Sequence, residues 1–431
     1  MARRLIFKEG GLTGSIPSGY QAIGFNGATF SQLTSTGAFS SGGSGASGTS
    51  GTSGTSSGGG GGKFGIADST GTYTYYTTLT LAVAGATAGQ TIEMFTDYTE
   101  SSSVTITLKD GVNINGNGHT YNYTAATGNC FIDNGVAVNC QILNLKISRT
   151  NYTSGSVYVQ SSGSSDTNWN GSQIFVTASA NNMIDILGTL RNCWVKVTGN
   201  GTAIYSAYGS NAKFYNCYGE STGSGTGLNC RTGSVFNSTG ISVSGNGAYG
   251  DQSVFSNCYL YSASGYGVIH GQYTNCTMVT VSGQSCRLAN ANNCTILATS
   301  GYCAVSQSNI FTNCTLKTSS SSVTYFQTYN YNCTLITDTN TVNQAAFNPE
   351  FYNCTIITNW NNSSGHALVQ PGPVVNCYIS VANASANCLY NASALSVKYT
   401  NNSFKGATTP VHANITQGVS NTQDNQGNIL L

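Results

Sequence analysis

From about residue 139 onward, apolar residues recur in a fixed relation to cysteine. Two positions after Cys193, Cys258, Cys276, Cys294, Cys314, Cys333, Cys354 and Cys377 stand Val195, Leu260, Met278, Ile296, Leu316, Leu335, Ile356 and Ile379. The position directly after the cysteine is Trp194, Tyr218, Tyr259 or, most often, threonine, and the third position includes Lys196, Glu220 and Lys317. This alternation has a period of two and is rich in β-branched residues, so it predicts a strand whose cysteine faces inward. Three residues before the cysteine come Phe214, Phe255, Tyr273, Phe311 and Phe351, which the same register also points inward. Between these two inward positions lies asparagine. Asparagine tolerates the left-handed backbone conformation and can bend one strand into the next.

The unit repeats. Its main series is Asn192-Cys193, Asn216-Cys217, Asn257-Cys258, Asn275-Cys276, Asn293-Cys294, Asn313-Cys314, Asn332-Cys333, Asn353-Cys354 and Asn376-Cys377. Asn237-Ser238 and Asn402-Ser403 fill two gaps, which makes the steps 18–26 residues long, and Asn139-Cys140 and Asn170-Gly171 extend the series upstream. A period of this length marks a solenoid. Short strands joined by sharp turns predict that each unit is one rung of an all-β parallel β-helix. Stacking at ~4.8 Å brings successive asparagine amides into a hydrogen-bonded ladder, and about 13 rungs give a rod of roughly 60 Å. Gly/Ser runs such as STGSGTG, residues 221–227, read as looser loops between strands.

Composition agrees with a solenoid and narrows the partners. Charged residues make up 7% of the 431, against roughly 25% in an ordinary domain. Disorder is excluded by 26 Tyr and 16 Phe, which supply apolar area to bury. The net charge of +1 provides no basic stripe for nucleic acid, and no apolar run approaches the ~20 residues of a membrane-spanning helix. Residues 1–39 form a mixed segment, and residues 40–62 a Gly/Ser/Thr-rich tether. Residues 63–138 read as a cap with the first rungs, 139–405 as the body and 406–431 as a C-terminal cap or tail. The opening MARRLIFKEGG carries basic residues without the apolar core of a secretory signal, which argues against export by that route.

The rung pattern over about residues 75–405 resembles the right-handed parallel β-helix superfamily, the pectate-lyase-like fold. Leu79 to Tyr121 look like the capping helix and first rungs of such solenoids. FKEGGLTGSIPSGYQAIGFNGATFSQL, from Phe7, is similar to the leader of bacteriophage fibre, spike and other virion-appendage proteins. The resemblance implies a virion protein made in the host cytoplasm and docked to other virion proteins through residues 1–39. It also implies a homotrimer that attaches to a host surface glycan or receptor. A tailspike depolymerase, acting as a polysaccharide hydrolase or lyase, is the alternative; a bacterial β-helix adhesin is a second. The fold itself hosts all three.

Candidate chemistry is sparse. Glycosidases need paired carboxylates about 5–9.5 Å apart. Between Cys140 and Asn402 there are Asp166, Asp185, Glu220, Asp251, Asp338 and Glu350. Asp185 and Asp251 share a face but stand three rungs apart, ~14 Å. Glu220 and Lys196 occupy equivalent positions on adjacent rungs and are expected to pair outward. Asp338 and Glu350, on neighbouring rungs, are the weak catalytic candidates. His119, His270, His366 and His412 and the cysteines lack metal-ligand spacing, so neither a metal nor another cofactor is expected. The cysteines read as reduced core thiols, and the asparagines of the Asn-Cys-Thr sequons as ladder turns. Trp194, Tyr218 and Tyr259 share an outward stripe suited to a glycan or to a subunit interface.

Overall fold

The computed structural model describes residues 62–417 together with strands inside 6–41 and at 429–430. Within the body it omits 134–138, 151–153, 161–167, 178–182, 207–211, 305–308, 320–322, 324–327, 339–342, 345–348, 362–365, 391–394 and 414. The chain divides into residues 1–60 and 61–431. In the first unit, strands Ile6–Glu9, Ala22–Asn26, Thr29–Leu33 and Phe39–Ser41 form one four-stranded sheet. Most of the expected tether, 42–61, lies outside the described residues.

The second unit is a parallel β-solenoid. Each rung contributes a strand to a first face, turns at the asparagine, contributes a strand to a second face and then a shorter one to a third. One such rung is Ala212–Tyr215, Tyr218–Ser221 and Leu228–Cys230. Each of these strands pairs in parallel with its equivalents one rung before and one rung after. From Lys146–Arg149 to Ser403–Lys405 the second face has 13 strands, which at ~4.8 Å spacing span nearly 60 Å. Helix α1, Leu79–Gly85, closes the N-terminal end. The Thr78 hydroxyl caps it by accepting from the Leu81 N–H, and Leu79, Ala82 and Val83 are buried. Strand Phe64–Ala67 pairs antiparallel with both Tyr73–Tyr76 and Thr91–Met94 and so covers an open sheet edge.

The asparagine corner is uniform. Asn192, Asn216, Asn237, Asn257, Asn275, Asn293, Asn313, Asn332, Asn353, Asn376 and Asn401 all hold φ between 51° and 56°. The following side chain is buried, as are the ring three residues before the cysteine and the apolar residue two after it. Cysteine does more here than fill space. The Cys276 N–H donates to Cys294 Sγ (3.3 Å), and the Cys294 N–H donates to Cys314 Sγ (3.4 Å). The same exchange uses Ser238 Oγ, 3.0 Å from the Cys217 nitrogen. The position therefore requires a small side chain with an acceptor at or just beyond Cγ, because a buried N–H on the rung below has no other partner in the ladder.

That requirement corrects the expected register at three places. In the last rung Tyr378 pairs with Ser403, so Asn401 takes the corner and Asn402 the cysteine position, where its Oδ1 accepts from the Cys377 N–H at 2.8 Å. Upstream, Asn170 pairs with Arg191; the corner is Gly171 (φ 69°) and the acceptor is Ser172, which takes the Leu145 N–H. Asn139-Cys140 lies outside this ladder altogether. It leads into the first-face strand Gln141–Leu143, and Asn144 makes that rung's asparagine corner.

The Gly/Ser runs are not loose loops. At the exit from the second face, Gly225, Gly245, Gly265, Gly283 and Gly301 stack so closely that a Cβ on any of them would overlap a glycine carbonyl of the preceding rung. Ser262 locks the layer: its Oγ donates to the Gly245 carbonyl (2.7 Å) and accepts from the Gly265 N–H (2.8 Å). Ser242 does the same one rung earlier. The approach of backbone to backbone, rather than a special φ, explains the glycines.

Candidate functional site

The inward positions are occupied by the stack, so binding chemistry must come from outward side chains. The densest group flanks the asparagine corner between residues 191 and 261. On the second face Trp194, Tyr218, Thr239 and Tyr259 are in register. Trp194 and Tyr218 meet edge to face at 5.7 Å, and Tyr259 is 42% exposed. On the first face Arg191, Tyr215 and Phe236 form a second row. The Arg191 guanidinium sits 4.2 Å over the Tyr215 ring, which stacks on Phe236 at 5.3 Å. This second row escaped sequence reading, although it falls directly before the corner asparagine in each rung.

Between the rows runs the amide ladder. Asn192 Nδ2 donates to Asn170 Oδ1 (3.0 Å), Asn216 to Asn192 (3.1 Å) and Asn257 to Asn237 (3.2 Å). It continues from Asn275 to Asn257 and from Asn332 to Asn313, then through Asn353 and Asn376. The ladder asparagines are exposed, so exposure does not separate them from glycan acceptors. What separates them is Nδ2, the atom a glycan needs, which in these pairs is donated along the ladder.

Lys196 and Glu220 pair at 2.8 Å, and Glu220 also accepts from the Tyr218 hydroxyl at 2.7 Å. Burial, the hydrogen bond to Glu220 and that carboxylate's charge hold the Tyr218 phenol well above its usual range. Asp338 and Glu350 adjoin strands of different faces and have different partners. Asp338 follows the second-face strand Thr334–Thr337, where it pairs with Lys317 (3.2 Å) and accepts from Asn359. Glu350 opens the first-face strand Glu350–Tyr352 and accepts from the Tyr352 hydroxyl.

Asp185 lies in the third-face strand, where burial raises its carboxyl to about 6 from 3.8. A raised folded-state value means that the native state binds the proton more tightly than the unfolded chain. The contribution of Asp185 to stability therefore rises as pH falls from about 6.5 toward 4 and is lowest above that range. Asp185→Asn is expected to stabilise the protein at pH 7 by about 1–2 kcal/mol, allowing for partial solvent screening, and to flatten this pH dependence. Thermal melts between pH 4 and 8 check it.

Two further groups lie outside the residues that the sequence reading singled out together. Asp251 lies 3.7 Å from both Arg231 Nε and His270 Nδ1, with Tyr249 packed against the Arg231 and His270 side chains. His366 stacks on Tyr390 at 3.9 Å, and His412 meets the same ring at 4.6 Å. The intervals 231, 251 and 270 are one rung each, a signal that was available in the sequence. Among the described residues no group of three or more His, Cys, Asp and Glu is placed to hold a metal ion. Comparison with family models, curated proteins and solved structures finds no match.

Proposed function

We propose that the protein is a structural appendage, a fibre or spike of a bacteriophage particle, whose solenoid presents its outer faces to the host surface. Residues 1–39 dock it to other virion proteins, and copies assemble as a homotrimer on the particle surface after synthesis in the host cytoplasm. The observation that carries this reading is the division of labour within each rung: inward residues repeat to build the rod, while outward ones vary and carry aromatic and apolar groups. Assembly is supported by an outward row on the second face: Ile241, Tyr261, Val279 and Leu297, interrupted by Lys317 and resumed at Ile336 and Ile357. Val243 and Val281 beside this row are 44% and 41% exposed, an apolar strip that an isolated rod would leave uncovered.

Gold-labelled antibody against the solenoid should decorate particles, and light scattering of the purified chain should give three copies. Unlabelled particles together with a monomer would refute this reading. The depolymerase alternative draws on Asp251 beside His270, an imidazole positioned for proton transfer. Release of reducing or unsaturated sugars from host polysaccharide, lost in His270→Gln, would favour it.

A further inference from the structure

We infer that the edge formed by Arg191, Trp194, Lys213, Tyr218, Thr239 and Tyr259 binds an acidic polysaccharide laid along the rod axis. This deepens the proposed attachment role and rests on it. Thr239 stands in a row that otherwise carries large rings, so Tyr218 and Tyr259 lie two rungs apart, about 9.6 Å backbone to backbone. Thr239 floors the notch between them. Two aromatic side chains at that separation leave room for one pyranose ring between their faces, and a single rung is close in length to one sugar residue. Tyr259 is itself flanked by threonines, Thr239 and Thr277, which leaves its ring open on both sides.

Charge selects an acidic occupant. The nearest carboxylate, Glu220, is already neutralised by Lys196. Arg191 and Lys213 remain exposed on the adjoining first-face strands, and Arg191 is held in place over Tyr215. Two cations across the corner, one and two rungs before the notch, complement the regularly spaced carboxylates of a polyuronate or polysialate chain running along the axis.

The test is binding of the full chain to immobilised alginate, polysialic acid and neutral dextran. It compares the wild type with Tyr218→Ser/Tyr259→Ser and Arg191→Gln/Lys213→Gln, with melting and light scattering run on each. At least tenfold tighter binding to one acidic polymer than to dextran is expected. Each double variant should lower that affinity at least tenfold with oligomeric state and melting unchanged, and added salt should weaken wild-type binding. Equal binding to dextran, no binding to either acid polymer, or variants with wild-type affinity would overturn the inference. So would variants that dissociate, since the edge would then be a subunit contact. A wild-type chain that coats host cells yet ignores both acidic polymers would leave the attachment role standing while removing this ligand.

Discussion

Replacing Gly283 by alanine is expected to destabilise the solenoid by about 3 kcal/mol or more, a large effect for one methyl group. The added Cβ would fall on the carbonyl oxygen of Gly265 and within 2.9 Å of the Ser264 carbonyl oxygen. Neither obstacle is a side chain that could rotate away; both are backbone, fixed by pairing to the rungs on either side. Relief would require two rungs to separate locally, which breaks several parallel hydrogen bonds together. Gly89→Ala provides the contrast. Gly89 has φ +86° but open space around its Cβ direction, so its cost should be the conformational term alone, about 1–2 kcal/mol. Denaturant melts of both variants check the difference. Equal, small losses would mean that the glycine layer is not packed as described.

Cys294→Ala is expected to cost about 2–3 kcal/mol, and Cys294→Ser about 1 kcal/mol or less. Alanine removes the acceptor of the Cys276 N–H and the thiol that donates to the Asn292 carbonyl at 3.2 Å, and it leaves a small void. Serine keeps both hydrogen bonds, as Ser238 does in its own rung, accepting from the Cys217 N–H and donating to the Phe236 carbonyl at 2.8 Å. A purely hydrophobic role for the cysteine gives the opposite order, with alanine milder than serine. Paired unfolding curves of the two variants therefore distinguish a hydrogen-bonding ladder from an apolar one.

The periodicity of two around each cysteine was sufficient to place the strand, the corner and the core, because a solenoid repeats its local rule in every rung. It was sufficient also for Lys196 and Glu220, which are equivalent positions on adjacent rungs. The register failed where a different residue meets the same need. Asn402 and Ser172 supply the ladder's acceptor without being cysteine, and Asn139-Cys140 has the dipeptide without the corner. The glycine layer was misread because a Gly/Ser run has the same composition whether it is loose or too crowded for a Cβ. The binding edge was half legible. Trp194, Tyr218 and Tyr259 followed from the strand after the corner, whereas Arg191, Tyr215 and Phe236 belong to the strand before it, whose last outward position keeps no residue type from rung to rung.

FTNCTLKT, residues 311–318, condenses the rod into one rung: Phe311, Cys314 and Leu316 inward, Asn313 at the corner, and Thr315 and Lys317 outward. All 15 cysteines are buried free thiols, and burial pushes those such as Cys193 and Cys230 up to about 12. A thiol buried and protonated at neutral pH is a poor nucleophile. Thiol titration without reductant, before and after denaturation, tests this most directly. Essentially no reactive groups in the native protein and 15 after unfolding are expected. Rapid modification of the native chain, or far fewer than 15 groups once unfolded, would contradict the stacked, reduced ladder.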